Sequence, residues 1–114
     1  MALPLIAKRN DTFNEVPFQI NFNSAPLDLT DAEICMQLRK VYDGEVFLTL
    51  SSVMDAGITI TDALAGEFKI NEQIISVKAG NYLYDIQITF ADGTVKTWIE
   101  GVFTILNDVS RCPI

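Results

Sequence analysis

The sequence has 114 residues, of which 49% are hydrophobic and 20% charged, which predicts one packed domain and excludes both a second domain and a disordered chain. Its net charge of −7 argues against a nucleic-acid partner, because phosphate binding requires clustered Lys and Arg. No apolar stretch approaches the about 20 residues of a membrane helix, so we expect neither a membrane span nor a signal peptide.

The first nine residues allow two interpretations. Leu3, Leu5 and Ile6 are apolar and precede the first clear strand pattern. Residues 1–9 therefore form either an N-terminal arm that contacts a neighbouring protein or the first strand of the domain.

Alternation of apolar and polar residues dominates the chain from Phe18 onward, and this pattern places successive side chains on opposite faces of a strand. Residues 18–22 predict one strand with Phe18, Ile20 and Phe22 facing the core, and a loop follows at 24–28. Two further alternating runs, joined by Asp43-Gly44, predict a hairpin over 33–50. Its core-facing residues are Ile34, Met36, Leu38, Val46, Leu48 and Leu50.

The second half of the chain continues this pattern. Short strands are predicted at 57–61 and 66–70, whereas 71–79 is compatible either with a one-turn helix or with an extended segment. Residues 82–90 give the longest alternation and predict a central strand. Asp92-Gly93 predicts a two-residue type I′ turn to a return strand over 94–106, before a tail at 107–114.

These segments amount to about seven or eight short strands separated by turns. Helical periodicity is nearly absent, so the sequence predicts an all-β, Greek-key antiparallel sandwich.

Catalysis is not expected from this composition. Histidine is absent, which removes the commonest general base and the commonest transition-metal ligand. The serines lie in no nucleophile motif, and Asp28-Leu29-Thr30-Asp31 lacks the spacing of a calcium loop and indicates turn capping. We therefore predict no catalytic, cofactor or metal site.

Two cysteines, Cys35 and Cys112, are expected to be free thiols. They lack the paired spacing of a zinc site, and no secretory signal places them in an oxidising compartment.

Four residues of the second half are candidates for structural or interface roles. Tyr82, Tyr84 and Asp85 begin the predicted central strand, where a tyrosine commonly bonds nearby backbone as a tyrosine corner; an aromatic ligand platform is the alternative. Trp98 has the phase opposite to its neighbours on the return strand. It lies either in the core or at a subunit contact.

Several motifs occur in an order that resembles the N-terminal domain of baseplate upper proteins of tailed bacteriophages. The resemblance extends over about residues 12–106. It is carried by Phe18-Gln19-Ile20-Asn21-Phe22, Pro26-Leu27-Asp28-Leu29-Thr30, Gly57-Ile58-Thr59-Ile60, Gly80-x-Tyr82-x-Tyr84-Asp85, Ala91-Asp92-Gly93-Thr94 and Glu100-Gly101-x-Phe103.

The resemblance implies a single immunoglobulin-like β-sandwich domain over 1–114 that serves as a non-catalytic building block of a virion, in its tail or baseplate. Its implied partners are other phage virion proteins, in multiple copies of a symmetric assembly, with neither nucleic acid nor membrane. Longer family members continue into helical and receptor-binding segments, which this sequence lacks. A neck protein, a capsid-decorating protein and a receptor- or carbohydrate-binding module on the virion surface are therefore alternatives.

Overall fold

A computed structural model describes residues 3–41 and 43–107, which form twelve strands and one 3-10 turn, Val53–Asp55. Eight of these strands have four or more residues, and the other four are two-residue segments. The strands are β1 (Leu5–Lys8), β2 (Thr12–Phe13), β3 (Val16–Gln19), β4 (Asn21–Phe22), β5 (Ala25–Pro26), β6 (Glu33–Arg39), β7 (Val46–Ser51), β8 (Ile58–Asp62), β9 (Glu67–Ile70), β10 (Gln73–Ile74), β11 (Gly80–Thr89) and β12 (Val95–Leu106).

Two sheets form the layers of the fold. The larger has the order β1-β12-β11-β6-β7, in which β1 runs parallel to β12 and the other pairs are antiparallel. The smaller has the antiparallel order β3-β9-β8. This arrangement is the immunoglobulin-like β-sandwich, with the extra strand β7 that variable-type domains add to the larger sheet.

The core forms where the inward faces of the two sheets meet. The central strand β11 contributes alternate residues from Tyr82 to Ile88, and its neighbour β6 contributes Ile34, Met36 and Leu38. Phe68 and Ile70 of β9 close the core from the smaller sheet. The strict alternation in β6 and β11 explains why these two strands were predictable, since each has one buried face.

The predicted strand over 18–22 is wrong in its continuity and in one of its faces. The structure divides it into β3 and β4, and Phe22 is 54% exposed rather than buried. The cause is a second hairpin, β4–β5, whose turn residues Asn23 and Ser24 both have positive φ, at 54° and 65°. This hairpin turns Phe22 away from the core, and it occupies part of the segment predicted as a loop.

The connection between β11 and β12 also differs from the prediction. Gly93 has a φ of 89°, but Asp92 is not in the left-handed region, as a type I′ turn would require. Instead, the Gly93 N–H donates to the Phe90 carbonyl and the Phe90 N–H donates to the Thr94 carbonyl, both at 2.8 Å. The loop is therefore three residues long, with Gly93 in the bulge position, and the Asp92 side chain accepts the Thr94 N–H at 2.9 Å.

The remaining predictions divide between agreement and correction. The 33–50 hairpin is confirmed as β6–β7, but Val46 is exposed because the pairing shifts register between Leu38 and Arg39. Of the two alternatives for 71–79, the structure has the extended one, with β10 paired to β2.

Of the two alternatives for the N-terminus, the structure has Leu5–Lys8 as a strand. Met1, Ala2, Tyr42 and residues 108–114 lie outside the described residues. Cys112 is among them.

Candidate interaction surface

Leu3 is fixed to the larger sheet by two hydrogen bonds. Its N–H donates to the Glu100 carbonyl at 3.0 Å, and its carbonyl accepts the Tyr84 hydroxyl. Gly101 makes this approach possible, because a Cβ there would lie 2.5 Å from the Leu3 carbonyl oxygen. Leu3 is half-buried and Leu5 is buried, so this segment packs on the domain before β1 begins.

The two tyrosines are buried in the core. Tyr82 donates its hydroxyl to the carbonyl of Lys78, four residues upstream, which is the contact that defines a tyrosine corner at the start of this strand. Tyr84 lies edge-on to Phe103, and burial raises its pKa to about 12. Neither ring faces solvent, so the pair presents no aromatic platform.

Trp98 lies at an irregularity in β12. Ile86 pairs with Ile99 and Gln87 pairs with Thr97, which leaves Trp98 as the extra residue of a β-bulge. Its half-buried ring packs against the core and makes an edge contact with Phe22, with ring centroids 5.9 Å apart. The bulge explains the anomalous phase of Trp98 in the sequence.

The outward side chains of β6, β11 and β12 form a shallow groove of about 400 Å³, which we call the sheet groove. Its floor is mixed in polarity, with charged, amide and apolar groups side by side. Its lining includes Cys35, Gln37, Arg39, Leu83, Asp85, Gln87, Glu100 and Val102.

Electrostatics within the sheet groove centre on Asp85, which lies directly opposite Glu100. Burial and the nearby Glu100 carboxylate raise the pKa of Asp85, against a smaller lowering by Arg39. The Arg39 guanidinium donates its hydrogen bonds to groups other than Asp85, namely the Gly44 carbonyl at 2.7 Å and the Gln37 amide oxygen at 2.9 Å.

Cys35 is a poor nucleophile in this setting. Burial and the charge on Asp85 both raise the pKa of its thiol, whereas reactive cysteines need a lowered one. Within 3–41 and 43–107, no three potential metal ligands of the His, Cys, Asp or Glu type lie together. The described lining of the groove therefore combines a thiol of raised pKa with a carboxylate pair.

Beside the sheet groove, the solvent side of β1 and β12 carries exposed apolar side chains together with Lys8 and Thr104. Ile6 is 65% exposed, and Val102 and Leu106 on the neighbouring strand are also exposed. Sequence reasoning selected Leu3, Leu5 and Ile6 together, but the structure separates them: the first two pack inward and Ile6 faces solvent. The sequence carries no signal that separates them, because Leu5, Ile6 and Ala7 are all apolar.

Comparison with known proteins gives no family assignment. No family model and no curated protein matches the chain. Among solved structures, CopC from Methylosinus trichosporium OB3b is similar at 10% identity and a TM-score of 0.49, covering 95% of this chain and 88% of that chain. Murine CRIg is similar at 10% identity and a TM-score of 0.35, covering 92% of each chain. Both are too distant to carry an argument about function.

The described part of the chain contains no helix with the length and hydrophobicity needed to cross a membrane.

Proposed function

We propose that this chain is a non-catalytic structural component of a tailed-bacteriophage virion, acting in the assembly of the tail or baseplate. The resemblance of residues 12–106 to baseplate upper protein N-terminal domains supports the phage context. The observation that carries the assembly role is the surface formed by the sheet groove and the apolar residues beside it. Its partners are other virion proteins, and its place of action is the virion.

This surface has the character of a protein contact. Ile6, Val102 and Leu106 are exposed on the same side of the larger sheet, where Ile6 lies opposite Thr104 and diagonal to the two apolar residues of β12. Surfaces that combine exposed apolar side chains with polar groups are typical of protein interaction sites. The adjacent sheet groove supplies the polar border, with Arg39 and Asp85 among its residues.

A sandwich of this size also suits the role. Its core is closed by residues of both sheets, and the Leu3 contacts with Glu100 and Tyr84 fasten the N-terminal segment. The domain can therefore present a fixed surface without help from a ligand or metal. Rigid surfaces lose little conformational entropy when they associate, which favours repeated contacts in a symmetric particle.

Gene deletion with complementation tests the proposal. We expect phage lacking the chain to yield particles with incomplete tails or baseplates in electron micrographs, and the wild-type chain supplied in trans to restore them. A Val102→Glu variant should fold but restore fewer complete particles, because it places a charge in the apolar surface. Leu64→Glu is the matched control, since Leu64 is exposed in the turn between β8 and β9. Normal particles from the deletion would contradict the proposal.

The alternative locations are separated by the same micrographs, because loss of a neck or capsid-decorating protein leaves the baseplate intact. A receptor- or carbohydrate-binding role has one observation in its favour, the half-exposed ring of Phe22 against Trp98. That alternative requires Phe22→Ala to reduce adsorption to host cells while particles assemble normally.

A further inference from the structure

β1 is an open edge of the larger sheet. It pairs with β12 on one side, and within the described ranges no strand pairs with its other side. Unpaired N–H and C=O groups on an edge strand are a template for another strand. A cleft of about 360 Å³ runs beside this edge, lined by Ile6–Lys8 on one side and by residues 11–16 on the other.

The hydrogen bonds at the ends of β1 show which backbone groups face the open edge. The N–H groups of Leu3 and Arg9 donate to β12, to the carbonyls of Glu100 and Leu106. Backbone groups alternate in direction along a strand, so odd residues face β12 and even residues face the open edge. The edge therefore presents the backbone of Pro4, Ile6 and Lys8.

One of those edge groups cannot pair with another strand, and a second is already engaged. Pro4 has no N–H, and the Lys8 carbonyl already accepts the Asp11 N–H at 3.2 Å. The Pro4 carbonyl, both groups of Ile6 and the Lys8 N–H are left available.

We propose that two copies of this chain associate through their β1 edges, paired antiparallel and centred on Ile6. In this register each Ile6 exchanges both hydrogen bonds with Ile6 of the second copy, and each Lys8 N–H donates to Pro4 of the second copy. The Pro4 nitrogen of one copy lies opposite the Lys8 carbonyl of the other. Every available N–H and carbonyl of the edge therefore finds a partner. Any shift by two residues places an Ile6 group opposite the Pro4 nitrogen or the occupied Lys8 carbonyl.

The side chains fit the same arrangement. Because Ile6 points to solvent, the two Ile6 side chains lie next to each other on the outer side of the joined sheet, about 5.5 Å apart at Cα. They form an apolar pair across the two-fold axis, next to Thr104 of each copy. Such a contact uses the same patch on both copies and closes after two, so it does not propagate.

Purified full-length chain tests this inference without reference to any virion. A stable dimer buries at least about 1,000 Å² of surface, and the four-residue edge buries less than that. Association should therefore be weak and appear between about 10 and 500 µM. In sedimentation, the mass should rise from 12.7 kDa toward twice that value. Ile6→Lys, which places like charges opposite each other, should weaken association by about fivefold. Leu64→Lys adds the same charge at a similarly exposed site, 73% against 65%, and should change nothing.

Amide hydrogen exchange supplies the second measurement. The N–H groups of Ile6 and Lys8 should become protected as the concentration rises in the wild type, and should stay exposed in Ile6→Lys. A monomer at every concentration would overturn the proposal and leave the edge to a strand of a different protein. Association that Ile6→Lys does not weaken would overturn it equally. Because the assay requires no phage, its failure is distinguishable from failure of the assembly role.

Discussion

Tyr84 joins the core to the N-terminal segment, since its ring packs beside Phe103 and its hydroxyl donates to the Leu3 carbonyl. We expect Tyr84→Ala to lower the free energy of unfolding by about 3 kcal/mol or more, because it leaves a large cavity. Tyr84→Phe should lower it by about 1 kcal/mol, because it removes only the hydrogen bond. Chemical denaturation measures both. A Tyr84→Ala variant as stable as wild type would show that the ring is not part of the core.

The same residue predicts a pH dependence at the alkaline end. Its pKa in the folded chain is about 12, against about 10 for an unperturbed tyrosine, so folding favours the neutral phenol. The resulting stability is complete below pH of about 10 and is lost as the pH rises through about 12. The difference in melting temperature between wild type and Tyr84→Phe should therefore shrink over that interval. A difference that stays constant would contradict a raised pKa.

Asp85 and Glu100 lie opposite each other on β11 and β12 and repel when both are charged. We expect Glu100→Gln to stabilise the chain by about 0.2 to 1 kcal/mol at neutral pH. The pKa of Asp85 is raised, so its carboxyl favours the fold at acid pH and loses that contribution as the pH rises through its folded pKa. In acid, Asp85 is protonated and no longer repels Glu100. The stabilisation by Glu100→Gln should therefore vanish there. Denaturation at both pH values measures it.

Glu33→Gln is the matched control for that comparison, because Glu33 lies in the same sheet but opposite Thr89, which carries no charge. It should leave stability nearly unchanged at both pH values. Equal effects of the two substitutions would show that net charge, rather than the Asp85 contact, is responsible.

At the scale of elements, β1 depends on a glycine in its neighbour β12. Gly101→Ala places a methyl group 2.5 Å from the Leu3 carbonyl oxygen, and backbone must move to admit it. We expect a loss of about 1 to 3 kcal/mol, together with faster hydrogen exchange at the Leu3 N–H. Native-state exchange followed by NMR measures both.

Gly93→Ala is the control, because it should lower stability through backbone strain without touching Leu3. Gly93 has a φ of 89°, but a Cβ there meets nothing within 4 Å. This variant should be destabilised without faster exchange at the Leu3 N–H. Unchanged exchange in Gly101→Ala would show that the N-terminal segment does not depend on this close approach.

The sequence predicts the elements of this fold unevenly, for physical reasons. β6 and β11 each bury one full face, so their alternation is visible without knowledge of their neighbours. The β4–β5 hairpin is missed because Asn23 and Ser24 adopt left-handed backbone, which the surrounding alternation conceals. The bulge at Trp98 is missed because it depends on the register between β11 and β12.

The candidate surface is less predictable than the strands for a related reason. Leu5 and Ile6 are similar in sequence, but parallel pairing of β1 with β12 decides which one faces solvent. The sheet groove combines residues from β6, β11 and β12 that are up to 67 positions apart, from Cys35 to Val102. Only the strand order of the folded sheet brings them together.

At the scale of the whole molecule, the residues that stabilise the sandwich differ from those that are exposed for contacts with other proteins. Core residues of both sheets and the fastened Leu3 hold the domain together, while the sheet groove and the exposed side chain of Ile6 remain available. Substitutions at the available surface should therefore alter association with little change in melting temperature. This separation is what an assembly component requires, because its partners then act on a domain that is already folded.

Quantitative mass spectrometry of purified virions tests the assembly role most directly. The proposed function predicts that the chain is present in intact tailed-phage particles, at a fixed ratio to the other structural proteins that matches a rotational symmetry of the tail, neck or capsid. Virions purified to constant composition that contain none of the chain would contradict the assembly role.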